Sequence, residues 1–296
     1  MTGVAPPRAD CDPPPRAPRR TAQRLPAGSC DAHLHVFGPH ARYPLHARRN
    51  YTPHECSLTD YRQVMEAIGV DRAVLVQPSV YGTDNSAMLD ALRDGGPAFR
   101  GVAVLSPDTD DAALRDMHAL GVRGLRLNLV NPQVVSEPEV LALLERLRGL
   151  GLSWHLQVLA DLARDPDALL SLCDKTDAPI VVDHMGKLPP AVRQHPLYGL
   201  LASGRCWVKL SAPYRCSAEA TPYRDIAGLA RRLADANPAR VLWGTDWPHT
   251  ELHSGTPDAA LLAELLHSWL PDAATRERAC ITNPARLYEF PLEATQ

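Results

Sequence analysis

Residues 180–187 read Ile-Val-Val-Asp-His-Met-Gly-Lys, three apolar β-branched side chains followed directly by an acid and an imidazole. A continuous apolar run without alternation is typical of a strand buried on both faces of a parallel sheet. The polar residues then fall at the carboxyl end of that strand, where α/β folds place their ligands. Residues 73–77 (Ala-Val-Leu-Val-Gln) repeat the pattern.

Short apolar runs of this kind recur along the chain and alternate with longer segments of helical period. They predict strands at residues 31–36, 73–77, 101–105, 124–129, 153–159, 180–183, 206–210 and 241–244. Between them, residues 61–68, 87–92, 137–147 and 223–233 show helix signals, and Ser57 is a candidate cap for the first. Eight β–α units predict one closed (β/α)₈ TIM barrel, a fold of about 250 residues.

Composition limits the classes of protein that the chain can belong to. It has 296 residues, of which 45% are hydrophobic, so it can bury a large core and is not disordered as a whole. Its 31 basic and 34 acidic side chains argue against nucleic-acid or anionic-membrane partners. No apolar run approaches the roughly 20 residues of a membrane span. Seven scattered cysteines without a C-x-x-C pair predict reduced thiols and a soluble, cytoplasmic protein.

The first 28 residues differ from the rest of the chain. They alternate proline and arginine and contain no apolar stretch that could serve as a secretory signal. Such a segment buries too little apolar surface to offset its ordering entropy, so residues 1–28 are predicted to be a disordered arm. Residues 29–296 are predicted to form the barrel. The sequence leaves open whether the chain forms a homo-oligomer.

Polar side chains interrupt the apolar pattern where the predicted strands end. In a (β/α)₈ barrel those ends meet at one mouth, which carries the active site. Buried polar groups cost several kcal/mol unless they are paired, so this convergence indicates a binding or catalytic site. The polar residues at these ends are His33, His35, Gln77, Arg126, Asn128, His155, Gln157, Asp183, His184, Lys209, Ser211, Arg215, Asp246 and His249.

Several ordered motifs between residues 29 and 288 resemble the amidohydrolase superfamily. Within it, the chain is most similar to the branch of lactone hydrolases and isomerases that act on pyrone dicarboxylates, sulfomuconolactones and sugar lactones. The motifs are Asp31-Ala-His-Leu-His, Arg49-Asn-Tyr-Thr-Pro, Tyr81-Gly-Thr-Asp-Asn, Gly121-Val-Arg-Gly-Leu-Arg, Val182-Asp-His-Met-Gly-Lys, Trp207-Val-Lys-Leu-Ser-Ala-Pro-Tyr-Arg, Trp243-Gly-Thr-Asp-Trp-Pro-His and Asn283-Pro-Ala-Arg-Leu-Tyr.

The resemblance implies that Asp246 is the general base that takes a proton from the water attacking a lactone carbonyl. His33, His35 and His184 would then either donate hydrogen bonds to the carbonyl oxygen or, with Asp246, hold one Zn²⁺ ion. A metal-free site and a site with a single zinc both remain open. A second metal is not expected, because Arg126 stands where a bridging Lys or Glu would be needed.

The substrate would be a small lactone or carboxylate. Arg126 and Arg215 are candidate clamps for its carboxylate, since a guanidinium matches a carboxylate in a two-pronged hydrogen bond. Two features of the pyrone-dicarboxylate branch are missing: residues 130–133 (Val-Asn-Pro-Gln) supply no second arginine, and Gln157 or Leu159 replaces a tyrosine. We therefore expect a lactone with one carboxylate, or a hydroxylated sugar lactone. The other candidate contacts are Tyr51, Tyr81, Asn128, Gln157 and His249.

Two kinds of alternative remain. The same barrel could isomerise a lactone, or could decarboxylate an acid with the help of a bound zinc. From a different class, the chain could be a noncatalytic carboxylate-binding protein. A receptor, however, has no use for a base beside three imidazoles, so the sequence favours an enzyme.

Overall fold

Eight parallel strands form a single sheet whose order follows the chain, β1 to β8. The protein is represented by a computed structural model that describes residues 9–15, 17–130 and 134–291. The strands are β1 Cys30–Leu34, β2 Arg72–Val76, β3 Phe99–Ala103, β4 Val122–Asn128, β5 His155–Leu159, β6 Ile180–Val182, β7 Cys206–Leu210 and β8 Val241–Trp243. The sheet is nearly closed, and helices follow its strands. The predicted (β/α)₈ barrel is therefore confirmed.

The helices lie outside the sheet and end largely where the sequence signals indicate. Within the described residues they are α1 Leu58–Ile68, α2 Ser86–Gly95, α3 Asp111–Leu120, α4 Glu137–Gly149, α5 Ala168–Lys175, α6 Pro196–Ala202, α7 Ile226–Ala236, α8 Ala259–Trp269, α9 Ala273–Glu277 and α10 Asn283–Tyr288. Ser57 caps α1 in a capping box with Asp60. Gly69 ends the same helix at φ 80°, a conformation that glycine adopts without strain.

The barrel closes through the chain that follows β8. The N–H of Asp246 donates to the carbonyl of His33 at 2.8 Å, and the N–H of His35 donates to the carbonyl of Trp247 at 2.8 Å. The buried Asp31 carboxylate accepts both the N–H and the hydroxyl of Thr245, at 2.9 and 2.5 Å. These bonds fix the segment after β8 beside β1, so the residues of the two segments share the barrel mouth.

The described part of the N-terminal arm contacts the barrel. The side chain of Arg19 pairs with Glu264 on α8 at 2.7 Å, and Leu25 is buried. The N–H of Asp10 donates to the carbonyl of Thr52 at 3.0 Å. Backbone hydrogen bonds and an ion pair thus hold this segment, whose proline-rich composition offers little apolar surface to bury. The prediction for residues 1–8 and 16 lies outside the described residues.

The helices and the cysteines also bear on the class of protein that the composition predicts. Within residues 9–15, 17–130 and 134–291, no helix combines the length and the apolar character needed to cross a bilayer. All seven cysteines are free thiols, five of them buried.

Candidate active site

Asp246 lies at the centre of the barrel mouth, directly after β8. Its backbone is left-handed (φ 61°), a costly conformation for a residue with a side chain. The hydrogen bond from its N–H to His33 helps to hold this conformation. The carboxylate is fully buried and points among the imidazoles of His33, His35 and His184.

The two oxygens of the Asp246 carboxylate have different surroundings. Oδ2 accepts the hydroxyl of Tyr214 at 2.6 Å and the Nε–H of Arg215 at 3.3 Å. Oδ1 lies 3.4 Å from His33 Nε2, 3.5 Å from His35 Nε2 and 3.8 Å from His184 Nε2. Among the described residues, Oδ1 makes no hydrogen bond of ordinary geometry. One oxygen is therefore held, and the other is left for a reacting group.

Asp246 is held in its ionised form. Burial alone would raise the pKa of this carboxyl, but His184, Arg215 and the approach of His35 lower the pKa well below its usual value. Burial lowers the pKa of His184 to about 4 and also lowers the pKa of His33. At neutral pH the site therefore combines a carboxylate with neutral imidazoles at positions 33 and 184.

A second layer of polar side chains lies beneath the imidazoles and is also fully buried. Lys209 Nζ donates to Gln157 Oε1 at 2.6 Å and lies 3.3 Å from His33 Nδ1. Gln157 Nε2 donates to Asp183 Oδ2 at 3.1 Å. Burial opposes the charge of Asp183, yet His33 and Lys209 lower its pKa well below the usual value. Gln157 thus joins a buried acid to a buried base below the reaction centre.

The donor atoms at the centre could hold a metal ion. His33, His184 and Asp246 each offer a ligand atom, and these atoms lie within 4.8 Å of one another. His33 Nε2 and Asp246 Oδ1 are buried without a hydrogen-bond partner in the described part of the chain, as expected of atoms that await a ligand. Imidazole nitrogen and carboxylate oxygen are ligands that zinc accepts. The residues present therefore fit a single ion.

A cleft leads from this centre to the surface, with an empty volume of about 570 Å³. Positive charge dominates its lining, through Arg126, Lys187 and Arg215 against the single acid Glu251. The lining residues are His35, Tyr51, Ser79, Arg126, Asn128, Val130, Leu159, His184, Lys187, Arg215, Thr250 and Glu251. The predicted contacts Tyr51, Arg126, Asn128 and Arg215 are therefore all placed at the cleft.

Three predicted substrate contacts do not line the cleft. The hydroxyl of Tyr81 accepts the N–H of Gly38 at 3.2 Å, and Gln157 is committed to Lys209 and Asp183. His249 is buried with its ring packed edge-on against Tyr214, 5.9 Å between centroids. A position near a strand end sets the height of a residue in the barrel. It does not decide whether the side chain faces the cleft or the wall.

Arg215 lines the cleft but already has partners on all three nitrogens. Its Nε contacts Asp246, Nη1 pairs with Glu251 at 2.8 Å, and Nη2 donates to the carbonyl of Thr250 at 3.0 Å. All three nitrogens are therefore engaged within the protein, and Nε contacts the Asp246 carboxylate. Arg126 donates to the carbonyl of Gln77 at 2.8 Å and lies 3.7 Å from Asp183.

The sequence did not identify two residues of the site, Tyr214 and Glu251. Tyr214 donates the shortest hydrogen bond to Asp246, and it lies in a short turn, Pro213–Arg215, after β7. Its place beside Arg215 in the quoted motif was the available signal. Asp183 is among the polar residues predicted at the strand ends, but its 3.2 Å contact with His33 could not be predicted from the sequence. Glu251 had no signal beyond its position after β8.

Fold and site together define a class. The chain is a (β/α)₈-barrel enzyme whose centre is an aspartate after β8, surrounded by histidines from β1 and from the end of β6. Residues 30–290 match the family described as Amidohydrolase. The chain therefore belongs to the amidohydrolase family, as the motifs predicted.

Curated relatives cover almost the whole chain. The 2-pyrone-4,6-dicarboxylate hydrolase of Comamonas testosteroni is 36% identical over 287 residues, 92% of this chain and 93% of the relative. The 4-sulfomuconolactone hydrolase of Rhizobium radiobacter is 37% identical over 276 residues, 89% and 91%. The D-galactarolactone isomerase of Agrobacterium fabrum is 31% identical over 92% of this chain and 94% of its own. An apo structure from Agrobacterium tumefaciens aligns with a TM-score of 0.78 at 30% identity, covering 90% and 98%.

Proposed function

We propose that this protein is a hydrolase that opens a small lactone, with Asp246 as the general base. One observation carries the proposal: the Asp246 carboxylate is buried, with Oδ2 held by Tyr214 and Arg215 and Oδ1 left, among the described residues, without a hydrogen bond beside three imidazoles. Similarity to two lactone hydrolases supports the same reaction class.

The residues at the centre can carry both halves of the reaction. Asp246 Oδ1 takes a proton from water as the water oxygen attacks the lactone carbonyl, and an imidazole N–H stabilises the developing oxyanion. When the intermediate collapses, the ring C–O bond breaks and Asp246 returns the proton to the leaving oxygen. The product is a hydroxy acid. If a metal binds, His33, His184 and Asp246 would hold it, and it would polarise the carbonyl as a Lewis acid.

The cleft favours a substrate with a carboxylate. Two cations of its lining, Arg126 and Lys187, lie more than 3.5 Å from the nearest described acids. Arg126 Nη2 is 3.7 Å from Asp183 Oδ2, and Lys187 Nζ is 4.0 Å from Asp161 Oδ2. Leu159, which also lines the cleft, supplies no hydroxyl, and residues 131–133 lie outside the described residues. We therefore propose a lactone that carries one carboxylate, with a hydroxylated sugar lactone as the second candidate.

The decisive experiment replaces the base without changing its size. Asp246→Asn should abolish lactone opening while leaving the affinity for the lactone within a few-fold, because the amide fills the same space but accepts no proton. Ring opening is measured by acid release across carboxylated and sugar lactones, with and without added Zn²⁺. Full activity of the variant would remove Asp246 from the mechanism.

Isomerisation is the second candidate, because one relative is a lactone isomerase and the same carboxylate could move a proton without water. Turnover in ¹⁸O-labelled water separates the two reactions. Hydrolysis places a solvent oxygen in the product carboxylate, whereas isomerisation leaves the product unlabelled.

A further inference from the structure

The three imidazoles around Asp246 differ in what lies behind them. Each directs Nε2 toward Asp246 and Nδ1 toward the protein. In a neutral imidazole one nitrogen carries the proton and the other accepts, so the partner of Nδ1 decides what Nε2 can do in the site. The partners of Nδ1 are the carbonyl of Val76 for His35, the hydroxyl of Ser211 for His184 and the ammonium of Lys209 for His33.

Two of these partners allow only one tautomer of the imidazole that they contact. A carbonyl oxygen can only accept, so His35 Nδ1 carries the proton in its 2.8 Å bond to Val76, and a neutral His35 presents a lone pair at Nε2. The ammonium of Lys209 has no lone pair, so in its charged form it can only donate in its 3.3 Å contact with His33 Nδ1. His33 therefore carries its proton on Nε2. The hydroxyl of Ser211 can donate or accept, so it leaves His184 undecided.

Asp183 competes for the same nitrogen. Its Oδ1 lies 3.2 Å from His33 Nδ1 and would favour the opposite tautomer. That oxygen nevertheless makes no hydrogen bond of ordinary geometry with any described residue, whereas the contact from Lys209 does. Gln157 keeps Lys209 in place, since its Oε1 accepts from Nζ at 2.6 Å. The geometry favours the ammonium over the carboxylate.

We propose that Lys209 is a positioning residue that holds His33 as the Nε2–H tautomer and so makes His33 the hydrogen-bond donor of the reaction centre. This proposal rests on the proposed function for its catalytic meaning, because a donor beside Asp246 is what the developing oxyanion of a lactone requires. It also bears on the metal. A protonated Nε2 has no lone pair, so Lys209 opposes zinc binding at His33 while it favours hydrogen bonding.

The tautomer can be read directly in the unmodified protein. Imidazole ¹⁵N–¹H correlation spectra, with His33 assigned by its loss in His33→Gln, should show a protonated Nε2 and an unprotonated Nδ1. Lys209→Met leaves Asp183 as the partner of Nδ1 and should reverse this pattern, whereas Asp183→Asn should keep it. A protonated Nδ1 at His33 in the wild type would overturn the proposal, and so would reversal in Asp183→Asn but not in Lys209→Met.

Kinetics and zinc binding give independent readouts. Lys209→Met should lower kcat about 10- to 100-fold with KM within about twofold, the usual effect of losing a residue that orients an active-site imidazole. The affinity of the chelator-treated variant for Zn²⁺ should rise about 10-fold, since Nε2 then offers a lone pair. Lys175→Met, which removes an exposed lysine paired with Glu137, is the matched control and should change neither. Unchanged kcat and zinc affinity in Lys209→Met would contradict the proposal.

The experiments separate this inference from the proposed function. If no lactone is opened by the wild-type protein, the function fails while the spectra still report the tautomer. If Asp246→Asn abolishes turnover but the spectra show a proton on His33 Nδ1, the function stands and the role of Lys209 is wrong. Should Lys209→Met not fold, the wild-type spectrum alone decides between the two tautomers.

Discussion

Tyr214 gives the two oxygens of Asp246 their separate roles. Its hydroxyl donates to Oδ2 at 2.6 Å, and the side chain is otherwise packed between the rings of Tyr223 and His249. Without this bond the carboxylate can rotate about its last torsion, because Arg215 alone, at 3.3 Å, contacts the same oxygen. The orientation of the Asp246 carboxylate, the proposed base, therefore depends on the Tyr214 hydroxyl.

Tyr214→Phe should lower kcat by about 10-fold or more. The change removes one hydrogen bond to a charged group, worth about 1.5–3 kcal/mol, and leaves the ring packing intact. KM should stay within about twofold, since Tyr214 does not line the cleft. Steady-state kinetics on an accepted lactone checks this. Tyr198→Phe is the control, because that hydroxyl donates to the carbonyl of Val192 away from the site. Equal kcat for both variants would mean that Tyr214 does not orient the base.

Which side chains meet could be predicted only in part. His33 lies on β1 and His35 directly follows the last residue of that strand, so the two-residue spacing of an extended chain sends both to the barrel interior. Their approach to Asp246 follows from barrel closure, which the strand count predicts. The partners of Arg215 and Gln157 could not be predicted, because they depend on the rotamers of long side chains and on the path of a loop. The pattern of the sequence carries no information on either.

At the scale of the elements, the seam between β1 and β8 brings the base to the imidazoles. Gly244, the residue after β8, lies against His33 of β1. A Cβ atom at this position would lie 2.8 Å from the backbone nitrogen of His33 and 2.9 Å from its Cβ. Real Cβ atoms do not approach that closely, so the absence of a side chain at 244 sets the distance between Asp246 and His33.

Gly244→Ala should destabilise the protein by about 1–3 kcal/mol, the usual cost of overpacking a core. Activity should fall as well, because the backbone of β1 must move away from the base. Denaturant unfolding and kinetics measure the two effects. Gly199→Ala on α6 is the matched control, since nothing lies within 4 Å of its added Cβ and alanine favours a helix interior. A Gly244→Ala protein as stable and active as this control would show that the seam tolerates a wider spacing.

The ion pair between the arm and α8 should depend on pH in a defined direction. The hydrogen bond from Arg19 lowers the pKa of Glu264 to about 2. A lowered pKa adds stability above the unfolded value near 4.3, and that contribution is lost as the pH falls from there toward about 2. Arg19 and Glu264 are 51% and 29% exposed, so the contribution at pH 7 should stay below about 1 kcal/mol.

The check is the difference in unfolding free energy between the wild type and Glu264→Gln. It should be constant near neutral pH and shrink at about pH 3.5. Glu145→Gln, at an exposed pair with Arg148 on α4, serves as the control. A difference that grows in acid would contradict the assigned direction of the pKa shift.

Element boundaries show where sequence patterns stop being informative. The apolar run predicted β3 at residues 101–105, but the strand is Phe99–Ala103, because Phe99 pairs with Ala73 of β2. A helix was predicted over 223–233, yet α7 begins at Ile226, since Tyr223 has a φ of 53° and cannot belong to a helix. In both cases pairing or backbone conformation imposed by the fold overrides the local pattern.

At the scale of the whole molecule, the N-terminal arm joins two loops that present cleft residues. Asp10 exchanges backbone and side-chain hydrogen bonds with Thr52, at 3.0 and 2.7 Å, next to the cleft residue Tyr51. The N–H of Asp12 donates to the carbonyl of Leu252 at 2.7 Å, next to Glu251, which also lines the cleft. The arm therefore braces the loop after β1 against the segment after β8.

Removing residues 1–12 should raise KM for the substrate about 3- to 10-fold and change kcat less. Each backbone hydrogen bond that is lost contributes about 0.5–1.5 kcal/mol to the position of the two loops, while Asp246 and the imidazoles keep their own anchors in the strands. A chain lacking only residues 1–8 retains Asp10 and Asp12, so it should behave as the full-length protein does. Steady-state kinetics of the two truncations on the same lactone measures how much the hydrogen bonds of Asp10 and Asp12 contribute to KM. If both truncations have the same KM, the arm contacts the barrel without positioning the cleft. The loops that carry Tyr51 and Glu251 are then held by other contacts, such as the 2.7 Å hydrogen bond that Asn50 Nδ2 donates to Glu251.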